Sequence, residues 1–374
     1  MEVAADDLIL IAKSLGFHRV GVVDLDERDS LSAEMVHYRA WLAKGHAGEM
    51  DYLHRHADLR ANPRGLLAGD PPHLRAIVVT MNYLPSTQSD WRDRHVKAVA
   101  DPARAVVSVY AHGRDYHKVM RQRLVKLAEA LNQCARGAYE FRACVDSAPV
   151  LEVALASRCG LGWRGKHTLL LNRTQGSMMF LGVLLTSMPI PALQFEDSLE
   201  ESDEGHCGSC TECLDACPTQ AFVGPYELDA RRCIAYLTIE LAGSIPEPLR
   251  PLIGNRVYGC DDCQQVCPWN QFAKVGTVAD FDVRHGLDHA TLADLFSWTE
   301  TEFQERHQGS AILRIGYERW QRNLAVGMGN ALASNTLAPS MRETLRQALI
   351  LRRPSVSPMV AQHIDWALAQ PQTS

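Results

Sequence analysis

Apolar residues recur along this chain with two periods, and the periods divide it into regions. Over residues 115–134 they fall at Val119, Leu124, Leu127 and Leu131, one face of a helix. Residues 4–14 and 33–44 carry shorter helical patterns, ended by Gly16 and by Gly45 with Gly48. Residues 75–83 are β-branched and mostly apolar, as in a buried strand. Residues 18–23, 105–109, 140–145, 168–171 and 179–185 also read as strands, the last two separated by a hairpin-like turn at 172–176. Residues 149–157 predict a short helix, and the polar residues 85–101 a loop. Helix and strand therefore alternate over residues 1–195, which predicts an α/β or α+β domain around a central sheet. The acidic residues 196–204 read as a linker into a cysteine-rich domain, 196–284. Residues 285–374 are helical in pattern. Helices at 322–332, 341–351 and 360–368 suggest a short α-solenoid tail. The expected fold class is α+β and multidomain.

Cysteine usage changes the picture most. Eight of the 11 cysteines lie between residues 207 and 267. The total of 11 is odd and the spacing of these eight is that of a metal site, so the expectation is a reducing compartment rather than a disulfide framework. The N-terminus has Asp6 and Asp7 beside an apolar run and no basic segment, which argues against a secretory signal. The most apolar run, 178–187, is shorter than the ~20 residues of a membrane helix. A soluble, cytoplasmic protein is expected. The net charge of −6 gives no reason to expect nucleic acid, but residues 306–353 hold eight arginines against Glu318 and Glu343, a local +6. Such a cluster is either a solvated helix face or a phosphate-binding surface. Arg314, Arg319, Arg322 and Asn323 are the candidate phosphate contacts.

The cysteines form two runs. Cys207, Cys210, Cys213 and Cys217-Pro218 have the spacing C-x2-C-x2-C-x3-C-P of bacterial-type ferredoxins. Cys260, Cys263 and Cys267-Pro268 repeat it without the first cysteine, and Cys233 can supply the missing thiolate. In two-cluster ferredoxins the fourth cysteine of each run ligates the other cluster. Cys207, Cys210, Cys213 and Cys267 would then hold one [4Fe-4S] cluster, and Cys217, Cys233, Cys260 and Cys263 the second. Zinc knuckles are the alternative, but the two Cys-Pro ends and the eight-thiolate count favour iron. Clusters carry electrons and make no product, so the remaining chain must use the electrons or dock to something that does.

Three further stretches, with the cysteines, carry a resemblance. Residues 109–117, Val-Tyr-Ala-His-Gly-Arg-Asp-Tyr-His, look like the Y-A-x-G-x-D-Y-H stretch of epoxyqueuosine reductases. Residues 145–152 look like that family's D-[ST]-x-P-[VL]-x-E stretch, and residues 160–166 like its G-L-G-W-x-G-K stretch. Together they span most of the chain in family order. The resemblance implies an α/β cobalamin-binding domain, a ferredoxin-like domain that feeds it electrons, and HEAT-like helices that help hold tRNA. It implies reduction of the epoxide of epoxyqueuosine at the tRNA wobble position to queuosine, with a flavodoxin or ferredoxin as low-potential donor and a monomeric enzyme. Asp146 sits where the family has its catalytic acid. Arg60, Tyr110, Asp146, Ser147, Gly165, Lys166 and His167 become candidate cobalamin contacts. His167 stands where the family usually has Asn. No D-x-H-x-x-G run is present, so a base-off corrin without a histidine ligand is expected.

Each site has a plainer reading. Asp146 and Ser147 precede a predicted helix and are residues that cap one. The opposing expectation is a partly buried carboxyl, raised in pKa, that protonates the departing epoxide oxygen. Tyr110, Tyr116 and His117 read as core aromatics and a satisfied histidine. Residues 160–166 approach a P-loop, but they follow a helix rather than a strand and lack the magnesium-binding hydroxyl. Two other functions compete: a corrinoid reductase of another substrate, resembling reductive dehalogenases, and a non-catalytic electron-transfer or tRNA-binding protein.

Overall fold

A computed structural model of the chain describes residues 3–27, 29–87, 90–194 and 206–371. The expected linker, 196–204, lies outside the described residues. The apolar runs of the first half build a four-stranded sheet in the order Arg19–Asp24, Arg75–Asn82, Met179–Thr186, Phe141–Cys144. Every pairing in it is antiparallel, which makes the region α+β rather than parallel α/β. Arg75–Asn82 is buried at every residue because both faces of the sheet are covered. On one face Ile77, Val79 and Met81 share a core with Met120, Leu124 and Leu127 of the helix Tyr116–Ala135. Burying each of those leucines contributes about 1.5–3 kcal/mol. On the other face Ala76 and Val78 share a core with Leu155 and Cys159, at the helix Glu152–Arg158. Gly21 permits that approach: a Cβ there would lie 2.7 Å from Cys159 Sγ.

Three local expectations fail. Residues 85–101 are not all loop, since Trp91–Ala100 is a helix. Its polar residues answer to protein rather than to water: Arg92 Nε donates to Gln265 O at 2.9 Å, and His95 Nε2 lies 3.1 Å from Asp262. The strand expected at 105–109 shrinks to Val106–Val107 and pairs with Arg256–Tyr258, outside the central sheet. The turn at 172–176 does not join a hairpin of the central sheet either. Leu170–Leu171 pairs back onto Trp163–Arg164, and the turn carries the chain from that small hairpin into Met179–Thr186.

The helical tail forms Gly316–Ala333, Pro339–Arg352 and Pro358–Leu368. The first is buried almost all round, with Trp320, Leu324 and Met328 in one core and Val326 in another. Gly329 lets the third helix approach, because a Cβ there would fall 2.9 Å from Ala367 Cα. The tail core also takes in Val107 and Ala111 from the first region and Tyr258 from the cysteine-rich one. In return Val278 and Phe281 enter the core of the sheet region. The regions seen in the sequence therefore share cores.

Candidate active site

The helix Tyr116–Ala135 begins with an aspartate cap. Asp115 Oδ1 accepts from the His117 backbone N–H at 3.1 Å, and it lies 2.8 Å from His117 Nδ1. Tyr116 is stacked between His117, at 4.0 Å, and Phe180, at 4.3 Å. These contacts aim both side chains at Asp146, just beyond the strand Phe141–Cys144. Tyr116 OH donates to Asp146 Oδ2 at 2.6 Å, and His117 Nε2 lies 2.9 Å from the same oxygen. Asp146 has φ 49°, a left-handed conformation that strains a residue with a side chain and is found at functional sites. Its side chain is 58% exposed.

Burial lowers the His117 pKa, but hydrogen bonds to Asp115 and Asp146 outweigh it and lift the value to about 9. For Asp146, burial raises the pKa, while hydrogen bonds from His117 and Tyr116 and the charges of His117 and Arg314 bring it below the ordinary range. At neutral pH the proton sits on His117 and Asp146 is an anion. That corrects the expectation of a raised carboxyl, which counted desolvation and omitted the partners. Sequence reasoning also left Asp115, Tyr116 and His117 outside the site. The signal available was an aspartate two residues before a histidine at a helix start.

Neither Asp146 nor Ser147 caps the following helix, which starts at Glu152 with no side-chain cap. Ser147 is exposed. Burial first, and then the neighbouring Asp146 charge, push Glu152 up to about 8. Its Oε1 is buried without a hydrogen-bond partner among the described residues, as is Nη1 of the buried Arg60. The Arg60 guanidinium lies 5.6 Å from the Tyr38 ring centre. Tyr110 meets Tyr116 edge-on at 5.8 Å and Tyr258 at 6.2 Å, and burial raises its pKa well above the ordinary phenol value.

The loop after Trp163 serves the cysteines. Lys166 Nζ donates to Gly208 O at 2.6 Å and to Cys210 O at 2.9 Å. Lys166 and His167 line a cavity of about 420 Å³ with Cys207, Cys210, Cys213 and Cys267. Both residues thus face the first cysteine loop. Gly165 answers to packing: a Cβ there would fall 2.6 Å from Leu171 Cδ1. Burial first, then Cys267, Cys207 and Cys210, raise the Cys213 thiol to about 11. Cys233 is likewise raised by burial and by Cys217, and Cys263 by burial and by Cys233. The second loop is tied to the start of the stretch 108–117. Asp261 accepts from the Val109 N–H at 2.8 Å and from Ser108 Oγ, and Asp262 is held by Arg256 at 2.5 Å.

The tail arginines differ from expectation. Arg322 and Asn323 are 0% and 1% exposed and cannot meet a phosphate. Arg322 donates to the carbonyls of Leu237, Leu241 and Gly243, and Asn323 to those of Thr238 and Val257. Half-buried Arg319 donates to Ile315, Ile239 and Arg314 carbonyls. The segment they brace, Tyr236–Glu240, is π-helical, and its last carbonyls, as at any helix end, need donors from outside the helix. The local +6 counted charges that folding mostly engages: Arg342 and Arg352 also donate to backbone carbonyls. Arg314 stays exposed and pairs with Glu240 at 2.7 Å.

Residues 206–270 match the family described as "4Fe-4S double cluster binding domain", and residues 60–147 match "Epoxyqueuosine reductase QueG, DUF1730". The paired cysteine loops beside an acid–base centre define a two-cluster iron–sulfur oxidoreductase. Full-length relatives narrow the class. An epoxyqueuosine reductase of Burkholderia pseudomallei is 55% identical over 95% of this chain and 89% of its own. One of Pseudomonas aeruginosa is 52% identical over 95% and 91%, and one of Escherichia coli 47% over 95% and 86%. The chain belongs to the epoxyqueuosine reductase family. Its fold matches a crystal structure of epoxyqueuosine reductase with an epoxyqueuosine-modified tRNA-Tyr stem loop, at TM-score 0.74 and 24% identity over 97% of each chain. The Streptococcus thermophilus enzyme matches at TM-score 0.72 and 25% identity, over 97% of this chain and 98% of its own. Among the described residues no helix is long and apolar enough to cross a membrane.

Proposed function

We propose that this enzyme reduces the epoxide of epoxyqueuosine in tRNA to the cyclopentene of queuosine. The observation that carries the reading is the convergence of Tyr116 and His117 on one oxygen of a strained Asp146. Reduction takes two electrons and two protons, breaks both C–O bonds of the epoxide and releases the oxygen as water. Asp146, once it has received a proton from His117, donates to the substrate oxygen. His117 holds a proton at Nε2, which passes through Asp146 Oδ2 to that oxygen, while Asp115 steadies the imidazolium. The second proton comes from solvent. Tyr116 keeps the carboxylate in place between turnovers.

Two [4Fe-4S] clusters fit the cysteine sets, with Cys207, Cys210, Cys213 and Cys267 holding the first and Cys217, Cys233, Cys260 and Cys263 the second. Cobalamin would sit beside Asp146, where the unpaired Arg60 Nη1 and Glu152 Oε1 are suited to corrin amides. Tyr110 would border it and Ser147 lies at its edge. When bound base-off, cobalamin would supply a strongly reducing, nucleophilic cobalt for the two-electron step. A flavodoxin- or ferredoxin-type donor, a monomeric state and a cytoplasmic setting complete the reading. Arg314, with Arg319 behind it, is the remaining phosphate contact for tRNA. A corrinoid reductase of another substrate and a non-catalytic carrier are not favoured by the family membership. The test is an anaerobic assay with cobalamin, reductant and epoxyqueuosine-containing tRNA, scored by nucleoside analysis. Absence of queuosine with both clusters and corrinoid loaded would refute it.

A further inference from the structure

His167 carries a buried nitrogen that the protein does not satisfy. Its side chain is among the most enclosed of the polar ones, at 3% exposed, and it forms part of the wall of the cavity bounded by Cys207, Cys210, Cys213 and Cys267. Nδ1 accepts the Leu169 N–H at 3.2 Å, which puts the ring proton on Nε2. Nε2 is buried and has no hydrogen-bond partner among the described residues. Other buried side chains also leave an atom unpaired, but among the described residues with such an atom His167 is the one that lines this cavity, which points its free donor capacity to a group bound there.

A Cβ on Gly165 would fall 2.9 Å from His167 Cε1, so the glycine leaves room for the imidazole. Lys166 is anchored on the carbonyls of Gly208 and Cys210, inside the first cysteine loop. Leu171, Trp269 and Phe272 make much of the remaining wall apolar, and its other polar residues, His206, Glu212 and Gln271, make no hydrogen bond to the ring. A cluster bound by the four thiolates would bring acceptor sulfurs into this cavity.

We propose that His167 donates an Nε2–H hydrogen bond to the cluster held by Cys207, Cys210, Cys213 and Cys267, and so raises that cluster's reduction potential. The inference rests on the ligand assignment proposed above. Reduction adds a negative charge to the cluster, and a donor aimed at its sulfur stabilises the more negative state. His167 is thus a positioning and tuning residue, not a catalytic one. Its neighbour Lys166 shapes the same loop through backbone carbonyls.

The test uses full-length protein with both clusters reconstituted anaerobically, titrated electrochemically and followed by EPR. In His167→Phe the ring volume stays and the donor goes. The first cluster's midpoint should move to a more negative potential, while the second stays in place. His167→Gln, which restores a donor, should recover much of the shift. Protein carrying 15N-histidine should show a nitrogen coupling in pulsed EPR that is lost in both variants. Unchanged potentials in His167→Phe with full iron content would overturn the proposal, as would an equal shift of both clusters. Should the Phe variant lose iron, the 15N coupling in the unsubstituted protein decides: its absence overturns the proposal. The ligand assignment is checked separately by Cys207→Ser, which must alter the EPR signature of the cluster that His167→Phe shifts. Alteration of the other cluster instead would overturn the assignment.

Discussion

Two polar groupings in this protein looked alike in sequence and are opposites in structure. Around Asp146, a strained and half-exposed carboxylate shares one oxygen between a tyrosine and a protonated histidine, with Arg60 and Glu152 nearby each leaving a buried atom unpaired. Around Arg322, the guanidinium is fully buried and its nitrogens donate to backbone carbonyls and to Asn323 Oδ1. The first arrangement keeps polar capacity for something that comes and goes. The second consumes it to hold a π-helical segment and leaves none for a ligand. Charge and residue type do not separate the two; hydrogen-bond satisfaction does.

Asp146→Asn tests the first grouping most severely. It keeps size and one acceptor but cannot relay a proton, so kcat should fall roughly 10²–10⁴-fold, the usual worth of a positioned acid–base group. Cluster content and corrinoid retention should stay normal. Full turnover in this variant would remove Asp146 from the mechanism.

Arg322→Ala tests the second. It leaves several buried carbonyls without donors, each costing about 1–3 kcal/mol, and relaxation should hold the net loss of stability near ~3 kcal/mol. Denaturant unfolding measures it. Affinity of the folded fraction for a tRNA stem loop should be unchanged. Loss of affinity without loss of stability would return Arg322 to the binding surface.

The sequence carried much of the sheet and almost none of this distinction. Mostly apolar runs such as 75–83 and the helical period of 115–134 gave elements close to the observed Arg75–Asn82 and Tyr116–Ala135, because burial decides both. Trp91–Ala100 stayed hidden because its anchoring partners, Gln265 and Asp262, lie far along the chain. The resemblance singled out Asp146, but counting its burial alone gave the wrong sign for its pKa. That sign depends on His117 and Tyr116, which reach it only through tertiary packing. The anchoring of Lys166 was hidden for the same reason, since the first cysteine loop folds onto it from more than forty residues away.

A smaller effect is expected at Asp115, which touches the reaction only through His117. The two form a coupled system with Asp146, so the pH profile reports the set rather than one residue. A raised histidine pKa means that the protonated form, and any stability it confers, is complete below the unfolded value of 6.5 and is lost as pH rises through about 9. Activity should therefore fall on the alkaline side near pH 9. Asp115→Asn removes one of the two anions and should move that limb toward the ordinary histidine range, with a roughly fivefold loss at pH 9. Little change is expected at pH 6. An alkaline limb that stays in place would show that another group holds the proton.

The finest test sets two arginines of the tail against each other. Arg314 and Arg353 are exposed to the same degree, 51% and 49%, and each pairs with one carboxylate at 2.8 Å or less, Glu240 and Asp365 respectively. Exposed pairs contribute about 0–1 kcal/mol, so either alanine variant should leave stability nearly unchanged. What separates them is place. Arg314 is near enough to Asp146 to lower its pKa, whereas Arg353 has no such influence on the site. If the tail binds tRNA through its summed charge, the two substitutions should weaken a stem loop equally. If one phosphate is held beside the catalytic cleft, only Arg314→Ala should weaken it, and the slope of log affinity against log salt should fall by about one. Equal slopes for both variants would show that the tail's charge acts as a diffuse field and that no single phosphate is gripped at Arg314.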